Sequence, residues 1–479
     1  MAEPYVRTRI APSPTGEEMH IGNLYTALIN FVWARKNQGK FIVRIEDTDR
    51  TRYVQGSEQR LLQNLKDYGL DYDEGPDIGG DYGPYTQSER LDLYKKYALQ
   101  LVEQGSAYFC FCSQQRLAEL RQQQRKQKII PPKYDRYCLR QYSKEQALSL
   151  YQQGKPAVVR LKIPQNQSIE FIDEIRGKIS FDSSLIDDQV LLKSDGFPTY
   201  HLAVVVDDHL MKINYVIRAE EWISSTPKQI LLYKAFGWQL PKFVHLPVLR
   251  NPDRSKLSKR KNPVWVSWYL KEGFLPEAVL NYLALMGFSH PEGKEIFSLQ
   301  ELIKVFDIAR INPVGPVFDL VKLEWLNGEY IRAMTDPELK EKIIQYYNRF
   351  FNKQLDKDLV AKTVPLIKER IKKLSDYWFY CRFFWERPIS YQLNLQPHQE
   401  LLARIIEVLS TLSNWTADEI GSLMVNLAKK QGIVTGKFFM VLRVAITGQK
   451  ITPPLNESME ILGKQECLER LQLALKHKG

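Results

Sequence analysis

The chain has 479 residues, 44% hydrophobic and 26% charged; this argues against disorder and, at about 100–200 residues per domain, allows two to four buried cores. Lys and Arg outnumber Asp and Glu by 67 to 56, a net charge of +11, so a polyanionic partner is expected. No run of about 18 apolar residues occurs and Met1–Arg7 has no apolar signal core, so neither membrane spanning nor secretion is expected.

In chain order, Val6–Ala11 reads as a short apolar-rich strand. Leu24, Ala27, Leu28, Phe31 and Val32 then recur at helical spacing, and Gly39 lies just past the predicted helix end. Phe41–Ile45 is a second strand, so this opening predicts a βαβ unit and a parallel sheet. From about 85 to 190 the pattern loosens. Arg116–Lys128 is a polar helix rich in Gln and Arg, and Val158–Ile163, Ser168–Phe171 and Lys178–Phe181 are short strands between polar turns. This stretch reads as an α+β insertion between two halves of the parallel sheet. Apolar runs resume at Tyr200–Val206 and Tyr215–Ile217, and a helix opens at Ser225-Thr226-Pro227 with an N-cap residue and an early Pro. After about residue 240 the chain turns helical; Leu280, Leu283 and Ala284 fit an amphipathic helix ending at Gly287. Past about 330, helical periodicity, basic residues and aromatics dominate, as in Arg370–Arg387 with Tyr377, Trp378, Tyr380, Phe383, Phe384 and Trp385.

Two segments carry chemistry. The first, Pro12-Ser13-Pro14-Thr15-Gly16-Glu17-Glu18-Met19-His20-Ile21-Gly22-Asn23, joins the first strand to the first helix. Ligands bind at the carboxyl ends of parallel strands, and a helix N-terminus there favours phosphate. The prolines stiffen the turn, Gly22 lets a nucleotide approach the backbone, and His20 can donate to phosphate oxygens. The alternative is a rigid turn that only caps the helix. The second is Lys256-Leu257-Ser258-Lys259-Arg260, a doubly basic loop able to neutralise charge that builds up on a triphosphate. Its alternative is a solvated basic loop.

Together the two segments resemble the His-Ile-Gly-His and Lys-Met-Ser-Lys-Ser signatures of the class I aminoacyl-tRNA synthetases, as His20-Ile21-Gly22-Asn23 and Lys256-Leu257-Ser258-Lys259-Arg260. The strings Arg9–Gly16, Arg44-Ile45-Glu46-Asp47-Thr48-Asp49-Arg50, Thr199-Tyr200-His201-Leu202-Ala203, Val206-Asp207-Asp208-His209 and Val216–Trp222 are similar to the glutamyl-tRNA synthetase subgroup of bacterial type. The resemblance spans about residues 7–260. It implies a Rossmann-type α/β catalytic domain (1–85 and 186–240) split by an acceptor-end-binding insertion (86–185). A stem-contact region (241–328) and an all-α anticodon-binding domain (329–479) follow.

The implied activity is that of a cytoplasmic, monomeric glutamate–tRNA ligase. Glutamate attacks the α-phosphate of ATP, which comes with Mg2+, and the glutamyl group then passes to the 3′ end of tRNA-Glu. Within that family pattern, glutamate recognition maps onto Arg9, Ser13, Glu46, Tyr200 and Arg218. Cationic donors for two carboxylates and an anionic partner for an ammonium agree with it chemically. ATP is expected against Pro12, Thr15, Gly16, His20, Gly22 and Asn23, with Glu221, Trp222 and Leu246–Leu249 around adenine and ribose, and Lys256, Ser258 and Lys259 on the phosphates. His20, Lys256 and Lys259 are the expected catalytic residues. Trp222 as plain core is the alternative. Three departures stand out: three residues rather than two separate Gly16 from His20, Asn23 replaces a His, and Val204 stands where an Asn is common.

Five cysteines in so long a chain make no disulfide scaffold. Cys110, Cys112 and Cys138 with Tyr134 resemble a structural zinc site of related enzymes, since no His lies between 21 and 200; three free buried thiols are the alternative. Cys381 and Cys467 are expected in the core. Two rival functions stay open: charging of tRNA-Gln as well as tRNA-Glu, or a catalytically inactive RNA-binding protein of the same fold.

Overall fold

The computed structural model describes residues 5–258 and 263–477. The chain divides into two compact units, one of residues 1–268 with 279–319 and one of residues 269–278 with 320–479.

In the first unit, strands β1 (Arg7–Ile10) and β2 (Lys40–Val43) pair in parallel with Arg9 opposite Ile42, joined by the helix Ile21–Lys36. That helix is apolar on nearly every side, because Leu24, Ala27, Leu28, Val32 and Ala34 are all enclosed. An antiparallel sheet follows, with β3 (Ala107–Cys110), β4 (Val158–Leu161) and β7 (Val190–Leu192) in the order β3-β4-β7. Strands β5 (Ser168–Asp173) and β6 (Gly177–Asp182) form a hairpin whose first strand reaches β9 (Lys242–Leu246), giving the order β6-β5-β9-β8 with β8 (Tyr215–Ala219). Strands β5, β8 and β9 run parallel. The hairpin therefore extends the second parallel sheet, although its residues fall inside the stretch read as the insertion. The helix Thr226–Phe236 makes the β8-to-β9 crossover, ended by Gly237 at φ 69°.

The apolar run Tyr200–Val206 is helical. It opens the helix Tyr200–Leu210, whose residues 201–208 are all buried. A helix enclosed on every side reads as a continuous apolar run, and periodicity cannot then separate it from a buried strand.

The second unit is helical. One apolar cluster gathers Leu339, Ile343, Val360, Val364, Tyr377 and Cys381; another gathers Leu402, Ile420, Met424, Phe438, Leu442 and Cys467. Both isolated cysteines are core. Of the seven aromatics between Arg370 and Arg387, Tyr377, Phe383 and Phe384 are buried and Phe379 is exposed, and the segment holds only the short helix Asp376–Cys381 and a 3-10 turn, Arg382–Phe384. Among the described residues no helix is long and apolar enough to cross a membrane.

Candidate active site

The carboxyl ends of β1 and β2 open onto a cleft of ≈ 870 Å3. Pro12, Ser13, Thr15, Asn23, Glu46, Tyr200 and Trp222 line it, together with Asp49, Arg50 and Arg52. A smaller hollow of ≈ 130 Å3 shares Asn23 with it and is lined by His20, Gly22, Glu221, Val248, Leu249 and Lys256. Residues as distant in sequence as His20 and Lys256 thus meet around one helix N-terminus. Gly16 and Ser258 line neither space, and Lys259 lies outside the described residues.

His20 is the N-cap of the helix Ile21–Lys36, with its Nδ1 accepting from Gly22 N at 3.0 Å. A neutral ring whose Nδ1 accepts carries its proton on Nε2, so capping leaves a donor on the other side of the ring. A Cβ on Gly22 would sit 3.2 Å from that Nδ1. The longer loop before His20 is pinned at both ends. Ser57 Oγ donates to Gly16 O, Arg60 Nε to Glu17 O, and Val266 N to Met19 O at 3.1 Å. Ile21 N also donates to Val264 O at 2.7 Å, tying the chain beyond the second motif to the first.

Below the cleft lies a buried charge network. Arg9 forks onto Asp208, Nε to Oδ1 at 3.0 Å and Nη2 to Oδ2 at 3.1 Å. Arg44, fully enclosed, reaches the same Asp208 Oδ1 at 2.8 Å and Glu46 Oε1 at 3.0 Å. Burial pushes Asp208 up, but Arg9 and Arg44 outweigh it and hold the carboxyl below its usual range. Glu46 goes the other way: burial raises it, and Arg44 only partly opposes. Asp207 is the second anchor, accepting from Arg90, Gln87 and Tyr94.

Arg218 differs from Arg9. Its guanidinium is buried, yet its partners are all neutral: Tyr200 OH at 3.2 Å, Thr226 Oγ1 at 2.8 Å and His245 Nε2 at 3.1 Å. Among the described residues no carboxylate lies within ion-pairing distance of it, and burial lowers its proton affinity. A buried cation with its charge unspent is a receptor for an anion. Trp222 is not core: it is 38% exposed and packs at a tilt against Tyr200, with 4.3 Å between ring centres. Val204 is buried among Leu202, Ala203 and Val205 and offers the cleft no polar atom.

Away from this site, Cys110, Cys112 and Cys138 place their sulfurs within 4.8 Å of one another. Tyr134 OH is 3.3 Å from Cys112 Sγ and accepts from Cys138 N at 3.0 Å. The hydrogen bond from Cys138, then those of Tyr134 and Arg160, hold the Cys110 thiol below its ordinary range. Three sulfurs and a phenol converging on one point, one sulfur favoured as thiolate, fit a tetrahedral zinc ion.

Residues 5–325 match the family model described as tRNA synthetases class I (E and Q), catalytic domain. The chain belongs to the class I tRNA synthetases of the E and Q group. Residues 338–475 of this synthetase match an anticodon binding domain. It is 47% identical to a glutamate–tRNA ligase of Acidothermus cellulolyticus over 98% of this chain and 95% of that one. A glutamate–tRNA ligase of Thermus thermophilus is 46% identical over 98% and 100% of the two chains. The crystal structure of a glutamate tRNA ligase from Elizabethkingia meningosepticum in complex with its amino acid is similar at a TM-score of 0.88 and 34% identity, covering 99% and 100%. The expected fold class, a parallel α/β catalytic part with an α+β insertion and a helical anticodon-binding part, is that of this synthetase.

The sequence reading missed part of the site. Arg44, Asp207 and Asp208 stood in the quoted strings without a role; Asp208 holds Arg9, Arg44 holds Glu46, and Asp207 anchors Arg90, Gln87 and Tyr94 beside them. Thr226, read as part of a helix start, and His245, unread, grip Arg218. The one signal for His245 is a histidine inside the apolar strand Phe243-Val244-His245-Leu246.

Proposed function

We propose that this synthetase is a glutamate–tRNA ligase acting in the cytosol as a monomer. It activates L-glutamate with ATP and transfers the glutamyl group to the 3′-terminal ribose of tRNA-Glu. The observation that carries this reading is Arg218: a buried guanidinium held by neutral groups only, behind Tyr200, which lines the cleft together with Glu46 and Ser13. An amino acid with an anionic side chain supplies the missing carboxylate there, and an uncharged one leaves the cation buried and unpaired. Glu46, with Oε1 committed to Arg44, has a second oxygen for the α-ammonium. Arg9 carries less, because its charge is already matched by Asp208.

The adenine end of ATP is assigned to the smaller hollow, against Val248 and Leu249, with the phosphates extending out of it toward the helix N-terminus, His20 and Lys256. Activation joins the glutamate α-carboxylate oxygen to the α-phosphorus as the bond to pyrophosphate breaks. His20 Nε2–H and the Lys256 ammonium neutralise the charge that develops on the phosphate oxygens, and Lys259 is the other lysine assigned to them. Magnesium, carried on the phosphates as part of the ATP substrate, would add to that neutralisation. Arg50, Arg52 and Lys193 at the cleft mouth suit the phosphates of the acceptor end. Zinc held by Cys110, Cys112, Cys138 and Tyr134 would lock the insertion sheet at the end of β3 and take no part in the chemistry.

The test is charging with labelled glutamate and ATP on purified tRNA-Glu and tRNA-Gln separately, with glutamine as the control amino acid. Charging of tRNA-Glu with glutamate and not glutamine supports the reading. Charging of both tRNAs makes the ligase non-discriminating, and charging of neither by folded protein leaves only an RNA-binding role.

A further inference from the structure

Arg218 and His245 are register partners on the adjacent parallel strands β8 and β9, so their side chains leave the same face of the sheet side by side. The imidazole is completely enclosed. Its Nδ1 is 2.7 Å from Asp173 Oδ2, and the backbone N of His245 donates to that same oxygen at 3.1 Å. The other oxygen of Asp173 accepts from the backbone N–H groups of Ile175 and Arg176 at 3.1 and 2.9 Å. Every contact of this carboxylate is a donor, so it is the anion and Nδ1 carries the proton. Nε2 is then a lone pair, and it faces Arg218 Nε–H at 3.1 Å.

We infer that the buried Asp173–His245 pair is the positioning device of Arg218: it fixes the Nδ1–H tautomer, and the resulting Nε2 lone pair aims the guanidinium without neutralising it. The contrast with Arg9 gives the physical reason. A carboxylate set directly on a guanidinium, as Asp208 is on Arg9, takes the charge a substrate carboxylate would use. An imidazole between Asp173 and Arg218 transmits direction and leaves the charge available. Asp173 is thus a counter-ion kept one ring away, and neither residue touches substrate. The inference rests on the reading of Arg218 as the receptor for a glutamate carboxylate.

The test is steady-state charging of tRNA-Glu by wild type, His245→Asn and His245→Gln, with urea unfolding of each. Asn keeps a polar group for Asp173 but ends short of Arg218, whereas the amide of Gln reaches the place of Nε2. His245→Asn is expected to raise KM for glutamate by roughly 10- to 100-fold, the range for a lost hydrogen bond to a charged group, with KM for ATP unchanged. His245→Gln is expected to restore most of it. Equal rises in both KM values, or equal damage from Asn and Gln in folded protein, overturns the role. A readout on the unsubstituted protein stands beside it: with 15N-histidine labelling, His245 is expected to show a protonated Nδ1 and a bare Nε2, unchanged by glutamate. A protonated Nε2 overturns the inference. Wild-type protein that charges no tRNA with glutamate overturns the reaction reading and this role together, whereas normal charging with KM for glutamate insensitive to His245→Asn overturns the role alone.

Discussion

Lys256 Nζ lies 2.7 Å from Glu221 Oε1, so the second signature motif touches the hollow of the first through one ion pair. Both side chains are about half exposed, which limits the pair to about 0–1 kcal/mol. The ammonium is therefore easily drawn from Glu221 to a triphosphate. Lys256→Ala is expected to lower kcat for charging by roughly 100- to 1000-fold, the range for one lost charge-stabilising donor. The urea midpoint and tRNA affinity in filter binding should stay at wild-type values. A parallel fall in tRNA affinity would remove Lys256 from the phosphate chemistry.

Arg218→Met trades function for stability. It removes a buried cation that has only neutral partners, and Thr226 Oγ1, already 3.2 Å from His245 Nε2, can pair with the ring afterwards. The variant is expected to lose glutamate charging while its unliganded form unfolds at an equal or higher urea concentration, by up to about 2 kcal/mol. A large loss of stability would show that Arg218 holds the fold.

Asp208→Ala should do the opposite. It strands Arg9 in the interior and leaves Arg44 with Glu46 and Asp207 alone, so a destabilisation of about 3–5 kcal/mol is expected in urea unfolding. A change below about 1 kcal/mol, the scale of a surface pair, would mean that water reaches the network.

Glu74 sets an acid limit. Burial pushes its carboxyl up, but hydrogen bonds from Arg7, Tyr85 and Lys40 more than reverse this and hold it at about 2, against an ordinary 4.5. The unfolded chain therefore takes up this proton first as pH falls. The stabilisation is complete above pH 4.5 and drains away between there and pH 2. Urea midpoints measured at steps across that window should fall less steeply for Glu74→Gln than for wild type; equal slopes would sink the assignment.

The cysteine cluster predicts bound zinc, about one ion per chain by atomic absorption, lost in Cys138→Ser and weakened in Tyr134→Phe. Removal by a chelator should lower the melting temperature and spare glutamate binding in calorimetry. Protein purified without zinc, melting as before when zinc is added, would leave three free thiols.

How much of this was written in the sequence depends on how local the cause is. The turn between β1 and the helix Ile21–Lys36, with its prolines and His20, declares itself because strand, loop and helix are contiguous. The βαβ opening and the polar helix Gln114–Lys126 were legible for the same reason. The hairpin β5–β6 was legible as two strands, but its partner β9 lies some seventy residues on, and nothing in residues 168–182 names that partner. The buried charges failed in the same way. Arg44 and Asp208 are plain as letters, yet a charged letter states its cost of burial and not which opposite charge meets it. His245 was hidden further, since a histidine in an apolar strand is ordinary core until Asp173 and Arg218 are placed on either side of it.

The pairing of Arg9 with Asp208 spans 199 positions, and that of Arg44 with the same carboxylate spans 164. During synthesis at roughly 5–20 residues per second, Arg9 waits roughly 10–40 s for its counter-charge to be made, and the whole insertion is translated in that interval. Arg9 and Arg44 have no Asp208 carboxylate to bury against until then, so the floor of the cleft is completed only after that stretch has been made. The antiparallel sheet β3-β4-β7 closes within residues 107–192, so all its strands are made before Asp208 is.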